Sequence, residues 1–245
     1  MRKNFNGEKV AKDIINWIKE YFNNQPSAKG AVIGISGGKD STVVSKLLVE
    51  ALGKDRVMGV LMPRGEQKDI NDSLTVVKNL GIKYKIVNIA DAYDGIVSAI
   101  GEEEISSQGK INISPRLRMT VLYAIGASCG YRVAGTGNKS ERYVGYTTKW
   151  GDSAFDFNPI ADLTTEEVQA VGEALGLPRD LVYKAPSDGL SGKTDEDNLG
   201  FTYKQVNDVI ENGTSGDIEI DKKIQQKHEW NRHKWEKVPQ FIIEE

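Results

Sequence analysis

The chain is poor in cysteine, in long apolar runs and in net charge. Cys129 is its one cysteine among 245 residues, which excludes an intramolecular disulfide and a metal cluster held by cysteines. No apolar run is long enough to span a membrane, and no signal-peptide pattern is present. A net charge of -3 and a pI of about 5.6 argue against a general nucleic-acid surface. We therefore predict a cytoplasmic protein that acts without nucleic acid and without a membrane.

Short apolar runs alternate with helical patterns along the first half of the chain. This alternation predicts a parallel β-sheet with helices on both faces, an α/β fold in which ligands bind at the carboxyl ends of the strands. The predicted strands are 31–36, 56–62, 82–88 and 131–135, and the predicted helices are 7–23, 40–52, 67–80, 91–101 and 115–129. The helix 115–129 is expected to begin at Pro115, with Ser114 as its N-cap.

The regular alternation stops beyond about residue 140. Residues 144–163 are predicted to be mostly loop, and the polar, turn-rich stretch 184–200 is expected to be mobile until substrate orders it. The helices predicted for this part of the chain are 164–176, 202–212 and 217–237.

The most specific motif is Ser36-Gly37-Gly38-Lys39-Asp40-Ser41, between a predicted strand and a predicted helix. Glycines let backbone N–H groups approach an anion closely, and the helix directs its positive end at the same point. The Asp40 carboxylate would repel phosphate unless a cation such as Mg²⁺ lies between them. The motif therefore predicts a site for magnesium and pyrophosphate. The common phosphate loop is excluded because Lys39 precedes Asp40 rather than Ser or Thr, and a glycine-rich turn without a ligand is the alternative.

A second polar block follows the predicted long helix. It contains Asn112-Ile-Ser-Pro-Arg-Leu-Arg-Met, Gly135-Thr-Gly-Asn-Lys-Ser-Glu, Thr147-Thr-Lys-Trp-Gly-Asp and Asp156-Phe-Asn-Pro-Ile-Ala-Asp-Leu. The glycine loop by itself resembles the signature of the N-type ATP pyrophosphatases. Together with the second block it resembles the ammonia-dependent NAD synthetases, over about residues 10–212 and again at His233-Lys234.

The resemblance implies a fold and a reaction. The fold would be a Rossmann-like, adenine nucleotide alpha hydrolase-like sandwich that forms a homodimer. One domain would span 1–245, with a nucleotide-binding core at 1–140 and substrate-binding loops and C-terminal helices at 141–245. ATP would adenylate the carboxylate of deamido-NAD and release pyrophosphate, and ammonia would then displace AMP to give NAD. A glutamine-dependent enzyme would need an additional amidohydrolase domain, for which the chain has no room.

The resemblance also implies roles for individual residues. Those that it assigns to ATP are Gly34, Ile35, Ser36, Gly37, Gly38, Lys39, Asp40, Ser41, Thr136 and Ser187. Those that it assigns to deamido-NAD are Arg116, Lys149, Asp156, His233 and Lys234. It assigns Mg²⁺ to Asp40 and Glu141, which offer the hard oxygen ligands that this ion prefers. We add the hypothesis that Asp152 guides or deprotonates ammonium.

The sequence departs from the family pattern in three places. Thr165 and Leu61 stand where the family commonly has a lysine and an arginine that contact ATP, and Ser114-Pro115 replaces a usual Lys-Ala. Compensating contacts could come from Lys184 or Lys193 for the first position, and from Arg64 or Gln67 for the second.

Structural roles compete with several of these assignments. Arg116 and Arg118 could be exposed helix charges, Glu141 could cap a helix, and the pair His233-Lys234 could lie on a solvated face. Lys149 and Asp156 could instead form a salt bridge. At the level of function, the alternatives are another ATP pyrophosphatase, such as a tRNA thiolase, and a non-catalytic sensor of adenine nucleotides. An acidic chain with one cysteine argues against the first, and the carboxylates Asp40 and Glu141 argue against the second.

Overall fold

A computed structural model describes residues 1–66, 70–184 and 194–243. The described chain is built around a four-stranded parallel sheet with the order β3-β2-β1-β4. Its strands are β1 (Gly30–Gly34), β2 (Val57–Leu61), β3 (Lys83–Ile86) and β4 (Tyr131–Val133). The predicted α/β fold with a parallel sheet is confirmed. The strand order reverses between β1 and β4, which opens a crevice at their carboxyl ends.

Helices connect and cover the strands. They are α1 (Gly7–Asn23), α2 (Lys39–Leu52), α3 (Ile70–Leu80), α4 (Ala90–Ile100), α5 (Ser107–Cys129), α6 (Lys139–Val144), α7 (Thr165–Ala174), α8 (Arg179–Val182), α9 (Asp195–Leu199), α10 (Tyr203–Asn212) and α11 (Ile218–Asn231). The short helices α6 and α8 lie in stretches for which the sequence predicts no element, and α9 lies in the polar, turn-rich stretch 184–200. The predicted helix 217–237 is shorter than expected, because α11 ends at Asn231 and a 3₁₀ turn, Arg232–Lys234, follows. Across the residues that the structure describes, no helix combines the length and apolar composition that crossing a membrane requires.

The two faces of the sheet bury alternate residues of the central strand. Ile33 belongs to the largest apolar cluster, together with residues of α1, α2 and α7, whereas Val32 belongs to the cluster on the opposite side, with Val60, Val133 and residues of α5. Both faces of β1 are thus buried, which explains its unbroken apolar sequence. A third cluster, centred on Val206 and Ile224, joins α6, α9, α10 and α11. The division of the chain at residue 140 into a core and a substrate-binding part stays a prediction.

The prediction that a helix begins at Pro115 is wrong. Helix α5 begins at Ser107, with the Ser106 hydroxyl accepting a hydrogen bond from the Gly109 N–H, and Pro115 lies in its interior. A proline there removes a backbone hydrogen bond and typically costs about 3 kcal/mol, so the Ser-Pro pair falsely indicates a start. Arg116 consequently lies in the middle of α5, and the argument that it reinforces the field of a helix N-terminus does not apply.

Candidate active site

Two cavities meet at the carboxyl ends of β1 and β4. The first cavity, of about 360 Å³, extends toward the end of β2 at Leu61 and Met62. The second cavity, of about 640 Å³, extends toward Trp150 and the 3₁₀ turn after α11 at Lys234. The residues that line both are Ser36, Gly38, Asp40, Thr136, Glu141, Asp152 and Asp195. The glycine loop and the second polar block are thus brought together at the point where the strand order reverses.

The glycine loop is held open toward the cavities. Gly37 has a φ of 75°, and a Cβ on it would lie 2.9 Å from the Asp72 Cβ at the start of α3. The hydroxyls of Ser36 and Ser41 are 3.1 Å apart, and the Gly38 N–H donates to the Ser36 hydroxyl at 3.2 Å. Gly38 is the N-cap of α2 and offers no side-chain hydrogen bond, so the first turn of this helix is available to an anion.

Two carboxylates face this loop from different elements. Asp40 pairs with the Lys39 ammonium at 2.8 Å and accepts a hydrogen bond from the Asn138 side-chain amide at 3.2 Å. Glu141 forms a capping box with Asn138 at the start of α6. Burial and the neighbouring Asp40 charge raise the pKa of Glu141 to about 8. An ionised Glu141 beside Asp40 is therefore unfavourable, although the nearby Lys39 ammonium offsets part of the repulsion.

Asp40 and Glu141 fit a magnesium ion in kind and number. Both offer hard oxygen atoms, and a divalent charge would relieve the repulsion that raises the pKa of Glu141. Within the described ranges, no group of three or more acidic, histidine or cysteine side chains forms a protein cage for a metal. This also suits Mg²⁺, which usually takes one or two carboxylates and completes its shell with phosphate and water.

Asp152 lies on the wall that the two cavities share. One of its carboxylate oxygens accepts a hydrogen bond from the Thr148 N–H at 2.7 Å. Although its side chain is open to the cavities, the surrounding protein raises the pKa of Asp152, and the nearby Lys234 charge partly opposes this. A carboxylate in this setting accepts a proton more readily than one on an open surface.

The 3₁₀ turn after α11 is hydrogen-bonded to the loop that precedes Asp152. The Lys234 ammonium lines the second cavity and donates to the carbonyls of Gly145 at 2.6 Å and Thr147 at 2.9 Å. The Lys149 ammonium donates to the His233 carbonyl, and the His233 side chain is exposed and lines neither cavity.

Arg116 and Asp156 lie outside both cavities. The exposed Arg116 guanidinium donates to the Lys149 carbonyl at 3.4 Å. Asp156 is exposed beside the edge strand β4, where its carboxylate accepts hydrogen bonds from the Val133 N–H at 2.8 Å and the Tyr123 hydroxyl at 3.4 Å. In the described part of the chain Lys149 and Asp156 form no ion pair with each other. The single chain thus brings together most of the described residues assigned to ATP, but not all of those assigned to deamido-NAD.

Three charged residues that line the first cavity were not assigned a role from the sequence. Arg118 lines the first cavity and donates to the Met62 carbonyl at 3.2 Å. Asp195 lines both cavities, is 7% exposed and lies near the Tyr203 hydroxyl. Lys184, named only as a possible compensation, lines the first cavity and pairs with Asp72. The sequence did hold a local signal for Asp195, since Thr194 begins a capping box and thus a helix at that point.

The departures from the family pattern have distinct surroundings. Thr165 is buried, where its N–H donates to the Ser140 hydroxyl and its own hydroxyl accepts from the Asn207 amide. Leu61 lines the first cavity, and Arg64 instead stacks over the Tyr93 ring at 4.5 Å. The assignments to Ser187, Gln67 and Lys193 fall outside the described residues.

Comparison with known proteins agrees with this geometry. The family model described as NAD synthase matches residues 10–244. The NH3-dependent NAD+ synthetase of Pyrococcus furiosus is 43% identical over 209 residues, which cover 85% of this chain and 79% of that protein. The structure of NMN synthetase from Francisella tularensis superimposes with a TM-score of 0.91 and 32% identity, covering 98% of this chain and 100% of the other. The NH3-dependent NAD synthetase from Campylobacter jejuni gives a TM-score of 0.80 with 28% identity, at coverages of 97% and 99%.

The match extends over nearly the whole chain and includes both the glycine loop and the second polar block. The fold is that of the adenine nucleotide alpha hydrolase-like proteins, as the resemblance to the ammonia-dependent NAD synthetases implies. Because the family model and the curated relatives match over most of the chain, including its glycine loop and carboxylate pair, the chain belongs to the NAD synthase family.

Proposed function

We propose that this enzyme is a ligase that uses ATP and ammonia to convert deamido-NAD into NAD, AMP and pyrophosphate. The observation that carries the proposal is the meeting of the glycine loop with Asp40 and Glu141 where the two cavities join. One cavity there can hold ATP while the other presents a carboxylate to its α-phosphate. Family membership supports the same reaction.

In the first step, an oxygen of the substrate carboxylate forms a bond to the α-phosphorus of ATP. The bond from that phosphorus to the pyrophosphate oxygen breaks, and pyrophosphate takes the electron pair. The N–H groups of the glycine loop and the hydroxyls of Ser36 and Ser41 would bind the phosphates, with Thr136 on the opposite wall. Mg²⁺ held by Asp40 and Glu141 would neutralise charge on these phosphates when it is bound.

In the second step, ammonia attacks the carbonyl carbon of the acyl adenylate and AMP leaves with the former carboxylate oxygen. Ammonium dominates over ammonia at neutral pH, so a proton must be removed before or during attack. Asp152 is placed for this because it lines both cavities, and its raised pKa makes it a better proton acceptor. Asp152 would also attract the ammonium cation by its charge.

The residues assigned to deamido-NAD stay a proposal. Lys234 borders the second cavity, whereas Lys149, Arg116 and Asp156 lie beyond it. A dinucleotide offers a second nucleotide that could reach such outlying contacts, and the Asp156 carboxylate is of the type that binds ribose hydroxyls.

A second candidate substrate is the corresponding mononucleotide. The Francisella tularensis protein, which covers 98% of this chain at a TM-score of 0.91, is called an NMN synthetase. The same chemistry would then amidate nicotinic acid mononucleotide to NMN. We favour deamido-NAD because the relatives with identities near 40% are called NAD+ synthetases.

The variant Asp156→Asn tests which of the two candidates is the substrate. Asparagine can still accept the hydrogen bond from the Val133 N–H but loses the charge. If deamido-NAD is the substrate and Asp156 binds it, kcat/KM for deamido-NAD should fall about tenfold, as for one charge-assisted hydrogen bond, while that for nicotinic acid mononucleotide is unchanged. A higher kcat/KM of the wild-type enzyme for the mononucleotide would favour the second candidate.

We also propose that the enzyme is a cytoplasmic homodimer. The dimer is supported by apolar side chains that are left exposed on α4, on the edge strand β3 and at the start of α5, together called the α4 face below. Although every residue of α4 is described, none is buried. The large apolar side chains exposed on this face are Tyr84, Ile86, Ile100 and Ile111. A surface of this kind on a monomer usually marks an interface.

Product analysis tests the proposed reaction. The purified enzyme is incubated with Mg²⁺, ATP, deamido-NAD and an ammonium salt, and the products are measured by mass spectrometry. We expect NAD, AMP and pyrophosphate in equal amounts. AMP and pyrophosphate without NAD would mean that the second step is misassigned, and binding of ATP without any turnover would favour the nucleotide sensor.

A further inference from the structure

Lys184 brings a cationic side chain into the first cavity beside the glycine loop. Its ammonium pairs with the Asp72 carboxylate, and both side chains are partly open to solvent. The Asp72 Cβ is the atom that a Cβ on Gly37 would meet at 2.9 Å, and Ser73 follows it in the cavity wall. The Lys184–Asp72 pair therefore lies directly against the turn of the loop.

In the described chain, the other cationic residues that line this cavity are Lys39 and Arg118, and each is already bound to a protein group. Lys39 is 5% exposed, and its ammonium is bound to Asp40 at 2.8 Å, inside the carboxylate pair. Arg118 is bound to the Met62 carbonyl on the wall toward β2. Lys184 differs because its partner carboxylate, Asp72, does not belong to that pair. Its charge can thus be transferred to a ligand without disturbing the metal ligands.

Thr165, at the position where the family commonly has a lysine that contacts ATP, carries no charge that could bind phosphate. The Thr165 side chain is 6% exposed and is held by the Asn207 amide, away from both cavities. ATP carries several negative charges into a cavity that already contains Asp40, Glu141 and Asp195. A further positive group at the phosphate end would offset part of this repulsion.

We propose that Lys184 exchanges its bond to Asp72 for one to the β- or γ-phosphate of ATP, and that it binds the departing pyrophosphate. This inference rests on the proposed function for the identity of the nucleotide. Lysine suits the task because its ammonium is a compact charge on a flexible stem, which can move from one anion to another. Asp72 then holds the side chain near the loop while the cavity contains no phosphate.

The inference is tested with Lys184→Met, which keeps the length of the side chain and removes the charge. KM for ATP and the Kd for inorganic pyrophosphate, measured by calorimetry with Mg²⁺ present, should both rise about tenfold. The Kd for AMP should not change, because AMP lacks the β- and γ-phosphates. Lys184→Arg should restore most of the pyrophosphate affinity. Lys204→Met, which breaks an exposed pair with Asp208, is the matched control and should change none of these values.

Asp72→Asn distinguishes phosphate binding from a purely structural bridge. If Lys184 binds phosphate, this variant frees it and leaves the pyrophosphate Kd unchanged or lower. If the bridge only fastens α3, Asp72→Asn and Lys184→Met should weaken AMP and pyrophosphate alike, and the inference is overturned. An unchanged pyrophosphate Kd in Lys184→Met also overturns it. Because calorimetry needs no turnover, failure of the enzyme to make NAD would count against the proposed function and not against Lys184.

Discussion

Individual acidic residues determine what the junction of the two cavities can bind. Asp40, Glu141 and Asp152 were predicted from the sequence, and the structure brings all three to that junction. Asp195 also lies there and Arg118 lines the first cavity alone, but neither was assigned a role from the sequence. Their roles stay open.

Asp152→Asn should slow the step that uses ammonia. We expect kcat/KM for ammonium to fall at least about 100-fold, as is typical when a general base is lost. Binding of ATP should be unchanged, because Asp152 makes its hydrogen bond to the Thr148 N–H and not to the glycine loop. Steady-state kinetics with ammonium as the varied substrate provide the measurement. An unchanged rate at neutral pH would remove Asp152 from the mechanism.

Glu141→Gln should stabilise the metal-free protein in a pH-dependent way. The folded-state pKa of Glu141 is raised from 4.5 to about 8, so unfolding releases its proton throughout this range. The wild-type protein therefore loses stability relative to the variant as the pH rises from 4.5 to about 8, by up to about 5 kcal/mol, and the difference is constant above that.

Thermal denaturation in EDTA at several pH values measures this difference. Glutamine keeps the capping box with Asn138, so a lost helix cap does not confuse the comparison. Mg²⁺ with ATP should stabilise the wild-type protein more than the variant. A gap in Tm that does not vary with pH would contradict the placement of Glu141 beside Asp40.

At the scale of elements, helices and strands with strong local sequence signals were predicted correctly, whereas those with ambiguous signals were not. The loop after β1 and its helix α2 follow from an apolar run, two glycines and a helical pattern. Ser114-Pro115 misled because the same pair begins many helices, whereas here the helix begins at Ser107 and continues through Pro115. The short helix α6 escaped prediction because six residues carry too little periodicity, although its capping box was present in the sequence.

Gly37→Ala should disrupt the loop that we propose binds phosphate. Any other residue at a φ of 75° is strained by about 1–2 kcal/mol, and here the new Cβ would also strike Asp72 and Ser73. We expect a loss of stability together with a loss of at least about tenfold in affinity for ATP. Gly53→Ala is the control, because its φ is 80° but nothing lies within 4 Å of the new Cβ.

Chemical denaturation and nucleotide titration of both variants separate strain from loss of the site. Gly53→Ala should lose stability but bind ATP normally. Equal ATP affinity in the two variants would contradict the assignment of the loop to phosphate.

At the scale of the whole molecule, the alternation of strands and helices was sufficient to predict the sheet and its ligand-binding edge. It could not predict how the later part of the chain returns to that edge, since Lys234 and Asp195 reach the cavities only through the packing of α6, α9, α10 and α11. Nor could it locate an interface, because exposure of the α4 face is visible only in the folded chain.

Ile111→Glu should dissociate the proposed homodimer. Ile111 is 52% exposed on the α4 face, and a charge buried against a second copy is costly. We expect sedimentation to give a dimer for the wild-type protein and a monomer for the variant. Ile218→Glu, at a side chain 72% exposed on α11, should remain dimeric. A monomeric wild-type protein, or dissociation by Ile218→Glu alone, would contradict this interface.

The central claim is that the enzyme activates a carboxylate by adenylation, and isotope transfer tests it most directly. Deamido-NAD carrying heavy oxygen in its nicotinate carboxylate is converted with Mg²⁺, ATP and ammonium, and AMP is examined by mass spectrometry. We predict one labelled oxygen in the phosphate of AMP for each NAD formed, because that oxygen bonds to the α-phosphorus and leaves with it. NAD accompanied by unlabelled AMP, or by ADP and phosphate, would contradict the claim.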